Sequence, residues 1–148
     1  MSTRPSLAIE IKRVYEPAVR TDGYRVLVDR LWPRGMAKEN ARIDAWLKEV
    51  APSAELRRWF GHYPDRWPEF RKRYFDELRG QHELLRPLVE RAQRGRVTLL
   101  FAAREERFNN AVALRSYLRT HRSLHGRVQL GAATKVGLRR ARSEKPGS

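Results

Sequence analysis

The sequence predicts an α/β fold: a single compact domain with a mostly parallel sheet of about three to five strands, flanked by helices. Residues 24–28 and 96–102 are short and almost continuously apolar, which is typical of strands covered on both faces. Segments with helical periodicity separate these runs, and such connections are long enough for parallel crossovers. The chain has 148 residues, so it suits one domain that needs no disulfide or metal to bury a core.

The first half of the chain contains clear local signals for most elements. Residues 7–13 alternate apolar and polar side chains, which predicts a half-buried strand, placed here at a sheet edge. Residues 37–41 favour a helical turn, whereas residues 43–50 fit either a helix or a strand. Ser53 is expected to cap a short helix that ends at Gly61.

Three more helices are predicted in the second half. Asp65 is expected to cap the first, whose apolar stripe has helical spacing: Trp67, Phe70, Tyr74 and Leu78. The second includes residues 84–92 and ends at Gly95, and Pro87 marks either a kink or its true start. The third carries Ala111, Leu114, Tyr117 and Leu118 on one face, with Asn109 or Asn110 as its cap.

The net charge of +15 is the strongest feature of the composition. Residues 122–148 contain seven Lys or Arg and one Glu, and we interpret them as a partly disordered basic tail after a domain of residues 1–121. Two interpretations of the charge remain open. It attracts a polyanion such as nucleic acid, or it is a solvated basic surface on a protein that binds small anions or nothing.

Several classes of protein are disfavoured by what the sequence lacks. Without cysteine there is no disulfide scaffold, zinc ribbon, iron–sulfur cluster or thiol nucleophile. Neither HExxH nor the glycine-rich GxxxxGK[ST] and GxGxxG loops are present, so no metal and no cofactor are expected. Residues 1–5 lack the apolar run of a signal peptide, and no stretch approaches the ~20 apolar residues of a membrane span. We expect a cytoplasmic protein with no membrane partner; its oligomeric state is not predicted.

Residues 29–35 (DRLWPRG) carry the first group of candidate site residues, directly after a predicted buried strand. Arg30 and Arg34 would bind a carboxylate or phosphate through their guanidinium forks, and Trp32 would form a pocket wall. In the alternative interpretation, Asp29 pairs with an arginine and Trp32 packs in the core. Ligands of parallel sheets bind beyond the carboxyl ends of the strands, which is where this segment lies.

A second candidate loop, residues 103–110, follows the second buried strand. Arg104 and either Asn109 or Asn110 would add hydrogen-bond donors there, next to the N–H groups of the following helix start. In the alternative, Asn109 only caps the helix and Arg104 is solvated. His62 lies in a turn among aromatic residues, where it would serve as an acid or base. Its alternative is a histidine hydrogen-bonded to backbone in a turn.

In these segments the chain resembles the YeaO-like bacterial proteins, a branch of the domain-of-unknown-function family 488. The resemblance is carried by DGYRVLVDRLWPRG at 22–35, WFGH at 59–62 and LLF at 99–101, and it covers about residues 9–120. It implies an α/β fold and a small cytosolic bacterial protein, and it leaves the activity open.

One departure from the family pattern involves the second loop. Relatives in this branch commonly have Asn-His where this chain has Asn109-Asn110, and the wider family often has Cys-His. Two asparagines provide neither a nucleophile nor a titrating base. If the relatives are enzymes through that position, this chain either lacks the activity or uses another group.

Three functional hypotheses follow. In the first, the two loops form a pocket for a small anionic or polar ligand, lined by Asp29, Arg30, Trp32, Arg34, Arg104 and Asn109, with His62 nearby; any catalysis would use Asp29 or His62 for proton transfer. In the second, the chain is a non-enzymatic nucleic-acid-associated protein that binds through a basic face and the tail. In the third, it is a protein-interaction module whose loops serve folding alone.

Overall fold

A computed structural model describes residues 7–121 together with Leu124 and His125. Within this part of the chain the helices and strands follow in the order β1 Ile9–Arg13, β2 Tyr24–Leu27, α1 Lys38–Ala41, β3 Ala45–Trp46, α2 Ala54–Phe60, α3 Trp67–Leu78, α4 His82–Arg94, β4 Val97–Phe101 and α5 Asn110–Thr120. Single 3-10 turns lie at Arg20–Asp22, Lys48–Val50, Pro64–Arg66 and Arg79–Gln81. The predicted tail otherwise lies outside the described residues.

The strands form one parallel sheet in the order β1-β4-β2-β3, which confirms the predicted α/β class and places β1 at an edge. β4 is central because it pairs with β1 on one side and with β2 on the other, so that Leu99 lies between Ile11 and Val26. All four strands run the same way. Their carboxyl ends, and the loops that leave them, therefore share one edge of the sheet.

The two faces of the sheet are covered differently. Val97, Leu99 and Phe101 of β4 point into the main core, which also contains the buried side chains of α2 to α5. Leu100 points the other way because side chains alternate along a strand. On that face it packs with Val14 and Leu27 and with residues of irregular chain, including Trp32, Met36 and Ile43. The long helices of the described chain thus contribute to one face, and loops cover the other.

The loop-covered face also contains a buried ionic cluster centred on Asp22. Lys12 Nζ lies 3.0 Å and Arg25 Nη1 2.5 Å from Asp22 Oδ2, and both Asp22 and Arg25 are buried. The Thr98 hydroxyl donates to the Asp22 carbonyl. Burial raises the pKa of Asp22, but hydrogen bonds from the Val19 N–H, Lys12 and Arg25 outweigh it, so the net pKa is lowered.

Some local predictions differ from the structure. Asp65 does not cap α3; it lies in the preceding 3-10 turn, and Arg66 precedes the helix without a side-chain cap. Residues 43–50 are neither one helix nor one full strand, because a two-residue strand is followed by a 3-10 turn. Pro87 lies inside α4, which begins one turn earlier. None of the helices in the described chain is both long and apolar enough to cross a membrane.

Candidate functional site

A cavity of about 370 Å³ opens at the carboxyl edge of the sheet. Its wall is formed by the chain that follows β1, β2 and β4, together with α2, α3 and the start of α5. The two polar loops therefore meet at one rim: Asp29 Oδ2 accepts a hydrogen bond from the Ala102 N–H at 2.9 Å. Of the residues proposed from the sequence, Asp29, Arg30, Trp32, Arg34, His62 and Asn109 all line this cavity.

Asp29 is the carboxylate of the cavity and also ties its loops together. Its second oxygen, Oδ1, accepts from Asn110 Nδ2 at 3.0 Å, so each oxygen already has one donor. Burial raises the pKa of Asp29; hydrogen bonds from Asn110 and the Ala102 N–H and the positive charge of Arg57 oppose this shift without cancelling it. Each oxygen keeps a lone pair for a ligand.

The two asparagines at the start of α5 have different structural roles. Asn109 caps the helix: Oδ1 accepts from the Val112 N–H at 3.0 Å and Nδ2 donates to the Glu105 carbonyl at 2.7 Å. Asn110 instead reaches the chain directly after β2, donating to the Val28 carbonyl and to Asp29, both at 3.0 Å. The sequence left open which of the two asparagines caps the helix and which adds donors to the site, and included only Asn109 among the expected lining residues. The side-chain amides of both residues thus form hydrogen bonds within the protein.

Arg30 and Trp32 combine cavity lining with structural contacts. Arg30 donates to the carbonyls of Ala51 and Pro52 at 3.2–3.4 Å, which holds the β2 loop against the start of α2. Trp32 Nε1 donates to the Met36 carbonyl at 2.7 Å, and its ring packs on the loop-covered face. For Trp32, packing and lining are therefore not alternatives, because the same side chain does both.

Arg34 and Arg57 are exposed arginines on the cavity wall. Neither side chain forms an ion pair or a hydrogen bond with another residue of the described chain. Sequence reasoning missed Arg57, because nothing in the pattern of α2 shows which side of that short helix faces the cavity. Arg104 is exposed and lies outside the cavity lining.

His62 lies at the mouth of the cavity and is exposed. Its φ of 63° and that of Gly61, 53°, place two successive residues in the left-handed region, which turns the chain sharply after α2. The imidazole lies 6.0 Å from the Phe60 ring, centroid to centroid. The alternative interpretation required a hydrogen bond between the imidazole and the backbone. Within the described residues the imidazole makes no such bond.

The cavity residues do not suggest a metal centre. In the described chain, no group of three or more His, Asp or Glu side chains is close enough together to hold an ion. The wall of the cavity therefore carries three guanidinium groups and one carboxylate, and that carboxylate is hydrogen-bonded to other residues of the protein.

Comparison with known proteins identifies the family. A family model described as "Inactive DUF488-N3 subclade" matches residues 8–130. The chain belongs to the DUF488 family. Every residue that lines the cavity falls within the matched range.

Relatives within DUF488 cover most of the chain. The uncharacterized protein YeaO of Escherichia coli is 42% identical over 112 residues, which is 76% of this chain and 97% of that protein. Uncharacterized proteins of Mycobacterium bovis and Mycobacterium tuberculosis are each 43% identical over 112 residues, covering 74% of this chain and 92% of theirs. No solved structure matches the chain.

Proposed function

We propose that this DUF488 chain is a cytoplasmic protein that binds a small anionic ligand in the cavity and does not convert it. The observation that supports this most is the charge around the cavity: Arg30, Arg34 and Arg57 line it against one carboxylate, Asp29. Two of these arginines, Arg34 and Arg57, form no ion pair with another residue of the described chain. Guanidinium groups suit carboxylate and phosphate because their N–H donors match two acceptor oxygens at once.

The hydrogen bonds and residue types of the polar groups support a protein that binds its ligand without catalysing a reaction. Both oxygens of Asp29 already accept hydrogen bonds from the protein, which gives this carboxylate a structural role in joining the loops of the cavity. Asn109 and Asn110 supply no nucleophile at the start of α5. His62 lies at the exposed mouth, without a partner in the described chain to orient its ring. The family description as inactive supports the same conclusion.

The proposal is tested by titrating the protein with inorganic phosphate and with succinate, using calorimetry. Arg57→Ala is expected to weaken binding of either anion about tenfold, as the loss of one charge-assisted contact should. Arg58→Ala is the matched control, because Arg58 is the exposed neighbour of Arg57 on α2 but does not line the cavity. Equal affinities for the two variants and the unchanged protein would overturn the proposal.

A second candidate function rests on the net charge of +15: association with nucleic acid through a basic face and tail. A chain shortened after His125 retains Leu124, which is buried in the core. If the tail binds nucleic acid, this shortened chain should show a smaller salt dependence of binding to a mixed-sequence duplex than the full chain. Identical salt slopes would exclude the tail.

A further inference from the structure

The wall of the cavity is not uniformly charged. Phe60 and Phe70 stack with centroids 4.5 Å apart, and Phe60 lies 6.0 Å from the His62 ring. Trp67 links Phe70 to Phe108, at 5.6 Å and 5.4 Å. Four of these five rings, those of Phe60, His62, Phe70 and Phe108, line the cavity. The arginines therefore share the site with a connected aromatic cluster, in which Phe60 and Phe70 are largely buried in the main core and His62 and Phe108 are more accessible.

The size of the cavity agrees with an organic ligand. Its volume of about 370 Å³ lies within the range of ~300–1,000 Å³ in which proteins bind small organic molecules. A single phosphate or sulfate ion would leave most of that space to water. The bound molecule should then carry both an anionic group and a flat apolar part.

Rings paired with guanidinium groups continue from the cavity to the surface. Tyr15 lines the cavity, is 40% exposed and has the Arg13 guanidinium 5.0 Å from its centroid. Tyr63, next to His62, is 58% exposed and has the Arg66 guanidinium 4.6 Å from its centroid. Both guanidinium groups are fixed by hydrogen bonds to backbone carbonyls, Arg13 to those of Ala102 and Ala103 and Arg66 to that of Trp59. An exposed ring beside a fixed positive charge is a surface on which a base can stack.

We infer that the anionic ligand is a nucleotide, with its base among the aromatic side chains and its phosphate at Arg34 and Arg57. This inference rests on the proposed function, since it names the ligand class of the same cavity. The carboxylate of Asp29 repels phosphate, so the phosphate lies away from it. The remaining lone pairs of Asp29 are suited to accept N–H groups from the edge of a base.

Two sources supply this chemistry, a free nucleotide and an unpaired nucleotide at the end of a strand. The test measures the affinity of the full chain for inorganic phosphate, ribose 5-phosphate, guanosine, GMP and a short single-stranded oligonucleotide at one ionic strength. GMP is expected to bind at least about tenfold more tightly than ribose 5-phosphate, because only GMP has a base to stack. It should also exceed guanosine, which lacks the phosphate.

Variants separate the base contact from the phosphate contact. His62→Asn removes the imidazole at a position where asparagine tolerates a positive φ, so the backbone is retained. It should weaken GMP about fivefold and leave inorganic phosphate unchanged, whereas Arg57→Ala should weaken both. Arg58→Ala should change neither.

The outcomes distinguish the two proposals. If His62→Asn also weakens the oligonucleotide, and the oligonucleotide binds more tightly than GMP, the strand end is the source; if GMP binds at least as tightly, the source is the free nucleotide. If phosphate binds in an Arg57-dependent manner but GMP binds no more tightly than ribose 5-phosphate, the nucleotide inference fails while anion binding stands. If no anion binds in an Arg57-dependent manner, both fail.

Discussion

At the scale of single residues, Asp29 connects the chain after β2 with two other segments of the site. Its carboxylate accepts from the Ala102 N–H after β4 and from Asn110 at the start of α5. Its geometry was not predictable from sequence, because Asn110 follows Asp29 by 81 positions and no local pattern links the two. What the sequence did predict is that one of the two asparagines caps α5, since the cap depends on a neighbouring N–H group.

Asn110→Asp is expected to destabilise the protein, because it places a second carboxylate where an amide now donates to Asp29 at 3.0 Å. The free energy of unfolding near pH 7 should fall by about 2–4 kcal/mol, which urea denaturation measures. The pKa of Asp29 is already raised in the folded state, so protonation of this carboxyl favours the folded protein. Its contribution to the free energy of unfolding is therefore fully present below the unfolded pKa and is lost as pH rises through the folded pKa. The loss in Asn110→Asp should therefore shrink as pH is lowered.

The control for this experiment is Asn110→Ala, which removes the donor without adding charge. It should destabilise the protein less than Asn110→Asp near pH 7. Equal losses for the two variants at every pH would show that Asp29 and residue 110 are not electrostatically coupled.

Asp22→Asn tests the buried ionic cluster on the loop-covered face. Removing the carboxylate leaves Lys12 and Arg25 charged, poorly exposed and without their shared partner, which should cost about 3–5 kcal/mol of unfolding free energy. The folded pKa of Asp22 is lowered, so this stabilisation is present above the unfolded pKa and is lost as pH falls through the folded value.

Chemical denaturation near pH 7 and again near pH 3 checks that expectation. Asp76→Asn serves as the comparison, because both side chains of the Asp76–Arg79 ion pair are exposed and the pair should contribute little to the free energy of unfolding. A protein that tolerates Asp22→Asn as well as Asp76→Asn would rule out the cluster as a source of stability.

At the scale of elements, local patterns predicted what local forces decide. The apolar runs of β2 and β4 identified the buried strands, and Ser53 caps α2 as expected, with its hydroxyl accepting from the Leu56 N–H. The sequence left residues 43–50 open between a helix and a strand, because the two residues of β3 are held by pairing with β2 rather than by a pattern of their own. Asp65 failed as a cap because Pro64 begins a 3-10 turn in which Asp65 is already included.

Gly23 at the start of β2 gives a prediction at this scale. Its φ is +69°, and a Cβ there would overlap the carbonyl oxygen of Arg96, which accepts from the Tyr24 N–H at 3.0 Å. Gly23→Ala should therefore lower the unfolding free energy by more than about 2 kcal/mol, measured by thermal unfolding. Gly80→Ala, where a Cβ meets open space, should leave stability nearly unchanged. Similar melting temperatures for both variants would contradict this account of the β2–β4 junction.

At the scale of the whole molecule, topology explains how the position of the site was predictable although some of its residues were not. Parallel strands send the loops after β2 and β4 to one edge, so the sequence predicted that these loops meet at one rim, where the cavity opens. Whether an arginine on that rim faces the cavity depends on tertiary packing, which is why Arg57 was missed and Arg104, outside the lining, was proposed. The loop-covered face was also not predictable from the sequence, because the apolar pattern of a buried strand is the same whether a helix or a loop covers it.

The central claim is that anions bind at this carboxyl edge, and NMR spectra of the backbone amides, recorded while inorganic phosphate is added, test it most directly. The account predicts saturable shifts concentrated in residues 29–34, 57–62 and 102–110, and their loss in a variant lacking both Arg34 and Arg57. Shifts spread over the basic surface, or unchanged in that variant, would contradict it.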